Sequence, residues 1–185
     1  MNDLPESLHC GIKIFADDSK LYRPICSLSD SASLQEDLNA ALHWADRWQL
    51  SFNPGKCKVL HIGGGNQHHT YRMGGTTVAE SEVEGDLGVH MDTQLKFRKQ
   101  AVAAVRKATQ VIAVICWSFH LLDKSTLPLL LKALIPPHLE YGNLVWGPFN
   151  WADQRLVERV QRRATKLVPD LRQSEAGSGH SKEEA

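Results

Sequence analysis

Apolar and β-branched residues fill positions 11–15, the turn formers Ala16-Asp17-Asp18-Ser19 interrupt them, and positions 21–25 return to an extended pattern. This pattern predicts a β-hairpin with two aspartates at its tip. Ser33 followed by Glu36 has the spacing of a capping box. Leu34, Leu38, Ala41, Leu42, Ala45 and Trp48 then recur at helical intervals. A helix over 33–49 follows, expected to pack on the hairpin and on a strand over 57–62 through Leu38, Leu42 and Ala45. Phe52-Asn53-Pro54-Gly55 ends it, and 57–62 reads as a strand expected to return beside the hairpin, so the first order is β-β-α-β. Positions 71–73 and 76–78 flank Gly74-Gly75 as a second hairpin, and 87–89 reads as a short strand.

From residue 96 the period changes to that of a helix. Phe97, Ala101, Ala104, Val105, Ala108, Ile112 and Ile115 form an apolar face within a helix predicted over 96–122. A second helix over 125–135 stops at Pro136-Pro137. A third, capped by Asn150 or Asp153, turns Leu156, Val160, Ala164 and Leu167 inward and leaves its basic residues in water. The fold class is α+β, a strand-rich region over 1–92 followed by a helical region over 93–172. The Gly/Ser-rich, aperiodic stretch 173–185 is expected to be disordered.

Composition narrows the class. The 185 residues are 42% hydrophobic and 23% charged, which suits a folded, water-soluble protein. The longest apolar run, 111–117, is far shorter than the roughly 20 residues that cross a bilayer, so no membrane association is expected. The start lacks the basic and apolar regions of a signal peptide, and Cys10, Cys26, Cys57 and Cys116 show no CxxC pairing. An intracellular protein, nuclear or cytoplasmic, with reduced thiols is the expectation. Twenty-one basic and 21 acidic residues cancel, yet the cancellation hides two patches. Residues 95–172 carry 13 basic against five acidic side chains, while Glu80, Glu82, Glu84, Asp86 and Asp92 form a stretch with no basic residue.

Two adjacent carboxylates at a hairpin tip repel each other unless a cation sits with them, which makes Asp17 and Asp18 candidate divalent-metal ligands against the alternative of a metal-free turn. His68-His69 lies in a Gly/Asn loop with no evident third ligand nearby, which favours a solvated loop over a metal site. Gly63-Gly64-Gly65 lacks the Gly-Lys-Ser/Thr ending of a phosphate loop. Of the five tryptophans, Trp44 and Trp48 lie on or beside the apolar stripe of the first helix and read as core rather than as base-stacking platforms.

The order of these segments resembles the reverse transcriptases of non-LTR retrotransposons, the LINE-type elements of the Jockey and CR1 kind. Asn2-Asp3-Leu4-Pro5 is similar to the segment preceding their metal-binding hairpin, and Phe15-Ala16-Asp17-Asp18 to polymerase motif C. Trp44, Trp48, Phe52-Asn53 and Lys56-Cys57 resemble motif D. Gly85-Asp86-Leu87-Gly88-Val89, with Asp92, Leu95 and Phe97, resembles motif E and the thumb boundary. Leu139-Glu140-Tyr141-Gly142, Val145-Trp146 and the basic helix through Arg163 resemble the region that follows. The resemblance implies part of a polymerase palm (hairpin, helix and strand; motifs C, D and E) and then a helical thumb-like region. It further implies Asp17 and Asp18 as Mg²⁺ ligands, Lys56 near the leaving pyrophosphate, and an RNA/DNA template-primer as partner. Arg98, Lys99, Arg106, Lys107, Arg159, Arg162 and Arg163 would grip its backbone.

The family's first metal-binding aspartate lies on a strand upstream of motif C. The chain is expected to begin after that strand and after the fingers, leaving a reverse-transcriptase fragment that is inactive alone. A non-catalytic module that binds nucleic acid or a protein partner through the basic helices is the alternative. An active polymerase would need the missing ligand from another chain, and a fragment with no partner in practice is the remaining outcome.

Overall fold

The first elements follow the predicted hairpin. In a computed structural model, which describes residues 4, 8–118, 125–148 and 150–167, β1 (Gly11–Phe15) pairs antiparallel with β2 (Asp18–Tyr22). Phe15 lies opposite Asp18, so the turn is Ala16-Asp17, and Ala16 takes φ +52° to close it. A two-residue turn resumes the strand at once, which is why β2 starts at Asp18 rather than at residue 21. The tip is exposed and not buried in a sheet.

Helix α1 (Leu28–Arg47) starts five residues before the expected position. Its cap is Ser27, whose hydroxyl accepts from the Asp30 amide (3.3 Å) while the Asp30 carboxylate accepts from the Ser27 amide (2.9 Å). The reciprocal bonds of a capping box thus form with Asp in the acidic place, and Ser33 and Glu36 lie inside the helix. The hydrogen bond from the Ser27 hydroxyl, with help from the Cys26 amide, holds the Asp30 carboxyl below its usual range. The face α1 buries is also shifted. Ser31, Asp37, Ala41, Trp44 and Ala45 are buried, whereas Leu38 and Leu42 are half-buried and Trp48 is exposed. Ala41, Trp44 and Ala45 join Leu4 in a cluster on which Leu8, Ile12, Ile14 and Phe52 pack, so α1 does cover the hairpin, through small residues and one indole.

Strand β3 (Lys58–Leu60) does not return to the hairpin. It pairs in parallel with β6 (Ala79–Ser81), Val59 opposite Glu80. Between them lies the second hairpin, β4 (Arg72–Met73) and β5 (Thr76–Thr77), turned by Gly74-Gly75 as predicted. The Gln35 side chain on α1 behaves like a strand edge toward β4, donating to the Arg72 carbonyl and accepting from the Arg72 amide, each at 2.8 Å.

The chain divides into two compact units, Met1–Glu84 and Gly85–Ala185. Strand β7 (Val83–Asp86) runs across this boundary and pairs with β8 (Val89–Asp92). Residues 87–89 are therefore a tight turn and the start of a strand. Leu87 (φ +47°) and Gly88 (φ +80°) are both left-handed, the geometry of a primed hairpin turn. Helices α2 (Arg98–Ser118), α3 (Thr126–Leu134), α4 (Pro136–Glu140), α5 (Asn143–Trp146) and α6 (Trp151–Lys166) follow. Pro136 does not merely stop α3: it sits in the first turn of α4, where a missing amide costs nothing. Asn150 caps α6 by accepting from the Ala152 amide (3.0 Å), one of the two caps expected. The expected helix end at 119–122, the segment 2–5 apart from Leu4, and the tail 173–185 lie outside the described residues.

Alanines 101, 104 and 108 with Ile112 and Ile115 form the buried face of α2, on which Leu127, Leu131, Ile135, Leu139, Trp146, Val160 and Ala164 pack. Small side chains there let α4 and α6 approach closely. By length and composition α2 would also suffice to cross a bilayer, contrary to the expectation from the uninterrupted apolar run, yet this face is the core of the second unit.

A lock joins two segments far apart in sequence. The Tyr141 hydroxyl donates to the Leu87 carbonyl (2.7 Å), and the indole of Trp146, 1% exposed, donates to the Tyr141 carbonyl (2.6 Å). Gly142 sits at φ +67°, and a Cβ there would lie 2.9 Å from Val89 Cγ2. Gly142→Ala adds a left-handed penalty of about 1–2 kcal/mol and a steric overlap of similar size, so a loss of about 2–4 kcal/mol is expected in a urea melt. An unchanged midpoint would show that the lock does not hold β8.

Candidate functional site

The hairpin tip is positioned by one buried carboxylate. Asp37, 2% exposed on α1, accepts from the His9 amide through Oδ1 (2.8 Å), with His9 Nδ1 3.5 Å from the same oxygen. Arg23, just past β2, approaches Oδ2 at 3.5 Å. The chain entering β1 and the chain leaving β2 are thus both tied to the same point on the helix, which orients the turn between them. Cys10 lies against this group, and burial, then the Asp37 charge and hydrogen bond, push its thiol up to about 11.

Asp17 and Asp18 stand exposed at that tip. Among the described residues no His, Cys, Asp or Glu groups with them into a three-ligand set, and no ion pair joins Lys56 to them. Lys56 is exposed on the turn between α1 and β3. There the Asn53 carbonyl accepts from the Lys56 (3.0 Å) and Cys57 (3.2 Å) amides, and Asn53 Oδ1 accepts from the Gly55 amide (3.1 Å). Asp17 and Asp18 thus offer two carboxylates from one hairpin tip.

The basic residues of the second unit have different surroundings. Arg98 reaches Asp153, 2% exposed, at 3.7 Å, which ties the start of α2 to the start of α6. Lys99 and Arg106, seven residues apart and so on one side of α2, lie on the face away from the core, and Lys107 is exposed beside them. On α6, Arg155, Arg159, Arg162 and Lys166 follow at intervals of four, three and four, an exposed stripe with Arg163 alongside. Arg162 pairs with Glu158 (3.6 Å), and the Arg155 guanidinium lies 3.5 Å over the Trp151 ring. Trp151 and Trp117 are exposed, whereas Trp44 and Trp146 are core.

The fold also supplies neighbours that His68 lacks in sequence. His61, after β3, and Glu80, on β6, come to it from 7 and 12 residues away. His69 is not part of this group: its ring lies edge-on to Tyr71 at 5.1 Å. No sequence pattern marks the group, because a parallel strand pairing creates it.

Over 141 residues, 74% of the chain, the sequence is 27% identical to "RNA-directed DNA polymerase from mobile element jockey" of Drosophila funebris. The chain spans 15% of that protein's length. No protein-family model and no solved structure matches the chain. It is a distant relative of a retrotransposon reverse transcriptase.

Asp37 links the hairpin to α1, so Asp37→Ala is expected to lower stability by about 3 kcal/mol in a urea melt, the usual effect of removing one partner of a buried charged pair. A thiol at about 11 carries roughly 100-fold less thiolate at pH 8 than one at 9. Cys10 should therefore resist alkylation in the folded chain and react faster in Asp37→Ala, read by mass spectrometry of each cysteine.

Proposed function

We propose that this chain is a reverse-transcriptase-derived domain of a non-LTR element, holding the motif C hairpin of a palm in its first unit and a thumb-like helical region in its second. The observation that carries this reading is the hairpin Gly11–Phe15/Asp18–Tyr22 with Asp17 and Asp18 exposed at its tip, in a chain related in sequence to a mobile-element RNA-directed DNA polymerase. In this reading Asp17 and Asp18 offer carboxylates to Mg²⁺, and Lys56 lies toward the leaving pyrophosphate. Bound Mg²⁺ would supply charge neutralisation for phosphoryl transfer. A two-ion centre needs a carboxylate beyond this pair, so in this reading residues 1–185 by themselves do not extend a primer.

A second reading, a non-catalytic nucleic-acid-binding module, is favoured by the α6 stripe. Four cations at helical spacing beside an aromatic ring suit a phosphate backbone with a stacking base. Arg98 contributes less in this reading, since its charge is shared with Asp153.

The two readings separate in solution. Primer extension on an RNA template with Mg²⁺ is expected to give no incorporation; incorporation abolished by Asp17→Asn would overturn the claim of incompleteness. RNA, single-stranded DNA and a hybrid duplex are expected to bind with salt dependence. Replacing Arg159, Arg162 and Arg163 together by Ala should lower the logarithmic salt slope by about 0.7–0.9 for each phosphate that is no longer neutralised. A slope that does not move would remove α6 from the interface.

A further inference from the structure

His61 poses a chemical question of its own. Its side chain is 5% exposed, and its buried Nε2 has no hydrogen-bond partner, although a Glu80 carboxylate oxygen lies 3.5 Å away. Buried ring nitrogens are normally satisfied, and a nitrogen held bare beside a carboxylate is suited to a cation placed between them.

The surrounding geometry is built for one. In the parallel pair, Val59 lies opposite Glu80, so the side chain two residues on, at His61, falls on the same face as Glu80. The loop after β3 brings the third donor. The His68 amide donates to Asn66 Oδ1 (3.0 Å), His68 takes φ +50°, and its ring packs against that of His61 with centroids 4.6 Å apart. Glu80 then presents Oε1 to His61 Nε2 and Oε2 to His68 Nδ1, each at 3.5 Å. The three residues offer donor atoms that all lie within 4.8 Å of one another.

We propose that His61, His68 and Glu80 form a binding site for a divalent transition metal of the zinc class. A tetrahedral ion with bonds of about 2.0–2.1 Å has donor separations of about 3.3–3.4 Å; each imidazole lies 3.5 Å from a different Glu80 oxygen and one donor from each residue falls within 4.8 Å, so an ion would draw the three side chains slightly inward. Two imidazoles and one carboxylate select zinc-like ions over Mg²⁺, which prefers an all-oxygen shell, so this site is chemically distinct from the Asp17-Asp18 tip. His68 is 61% and Glu80 48% exposed, which leaves the fourth position open to water. Tyr71, buried, stacks near His61 with ring centroids 6.4 Å apart. Metal binding would fasten the loop to β3 and β6, a parallel pair only three residues long.

The test uses the full chain freed of metal by a chelator and then titrated with Zn²⁺ by calorimetry and with Co²⁺ by visible absorption. One Zn²⁺ per chain, a tetrahedral Co²⁺ spectrum and a raised melting temperature are expected. His68→Ala and Glu80→Gln alter exposed or half-exposed side chains, so the fold should survive, and each should weaken binding at least about tenfold. His69→Ala, one residue away but outside the group, should bind as the parent does. Absence of binding by the parent would overturn the proposal. So would binding that survives in His68→Ala, or that falls equally in His69→Ala. None of these readouts depends on whether the chain binds nucleic acid or extends a primer.

Discussion

Among the described residues every sheet has two strands, and an isolated two-stranded pair is marginal in water. The rest of the structure depends on fastening each pair to something else, and most of the fastenings are polar side chains reaching backbone. Asp37 ties both ends of β1–β2 to α1, and Gln35 ties β4 to the same helix with a pair of 2.8 Å bonds. In the second unit the Gln100 side chain accepts from the His90 amide of β8 (2.9 Å), and the Tyr141 hydroxyl secures the turn before it. These groups are directional, so they fix where a strand pair sits as well as that it sits. Beside the β3–β6 pair, His61 and His68 each approach Glu80 at 3.5 Å.

This arrangement bears on function through orientation. The Asp17-Asp18 turn is exposed, but it is not adrift, since the carboxylate behind it anchors the segments entering and leaving the hairpin. The His9 amide satisfies one oxygen of the buried Asp37, and the Arg23 guanidinium, 3.5 Å from the other, offsets its charge without a hydrogen bond. In the second unit, Asp153 plays a comparable part by holding Arg98 between α2 and α6. That pairing sorts the basic residues into two kinds. Arg98 is committed to holding the helices, while Lys99, Arg106 and the α6 stripe project from faces that the core does not use. A net positive region thus contains both scaffold and surface, and charge counting along the chain does not distinguish them.

Two segments more than 50 residues apart meet in the second unit. Leu87-Gly88-Val89 and Tyr141-Gly142 with Trp146 interlock through two hydrogen bonds and one close approach at a left-handed glycine. Residue types that look like motif letters in sequence are here parts of one joint, where a tight turn needs Gly88 and a close contact with Val89 needs Gly142.

What the sequence determined by itself was local. A hairpin turn within 16–19, the Gly74-Gly75 turn, a cap at Asn150 or Asp153 and the core face of α2 depend on residues within one or two turns of each other, and spacing reports them, while the pairing of Phe15 with Asp18 narrows the first turn to Ala16-Asp17. The start of α1 is not legible in the same way, because two Ser-x-x-acid patterns compete there and bonds to the Cys26 and Ser27 amides decide between them. Tertiary structure alone decided the partner of β3, the burial of Asp37 in place of Leu38, the exposure of Trp48 and the meeting of His61, His68 and Glu80. Each of these depends on which distant segment arrives alongside, and the period of a strand or helix specifies the face it presents without specifying what will cover it.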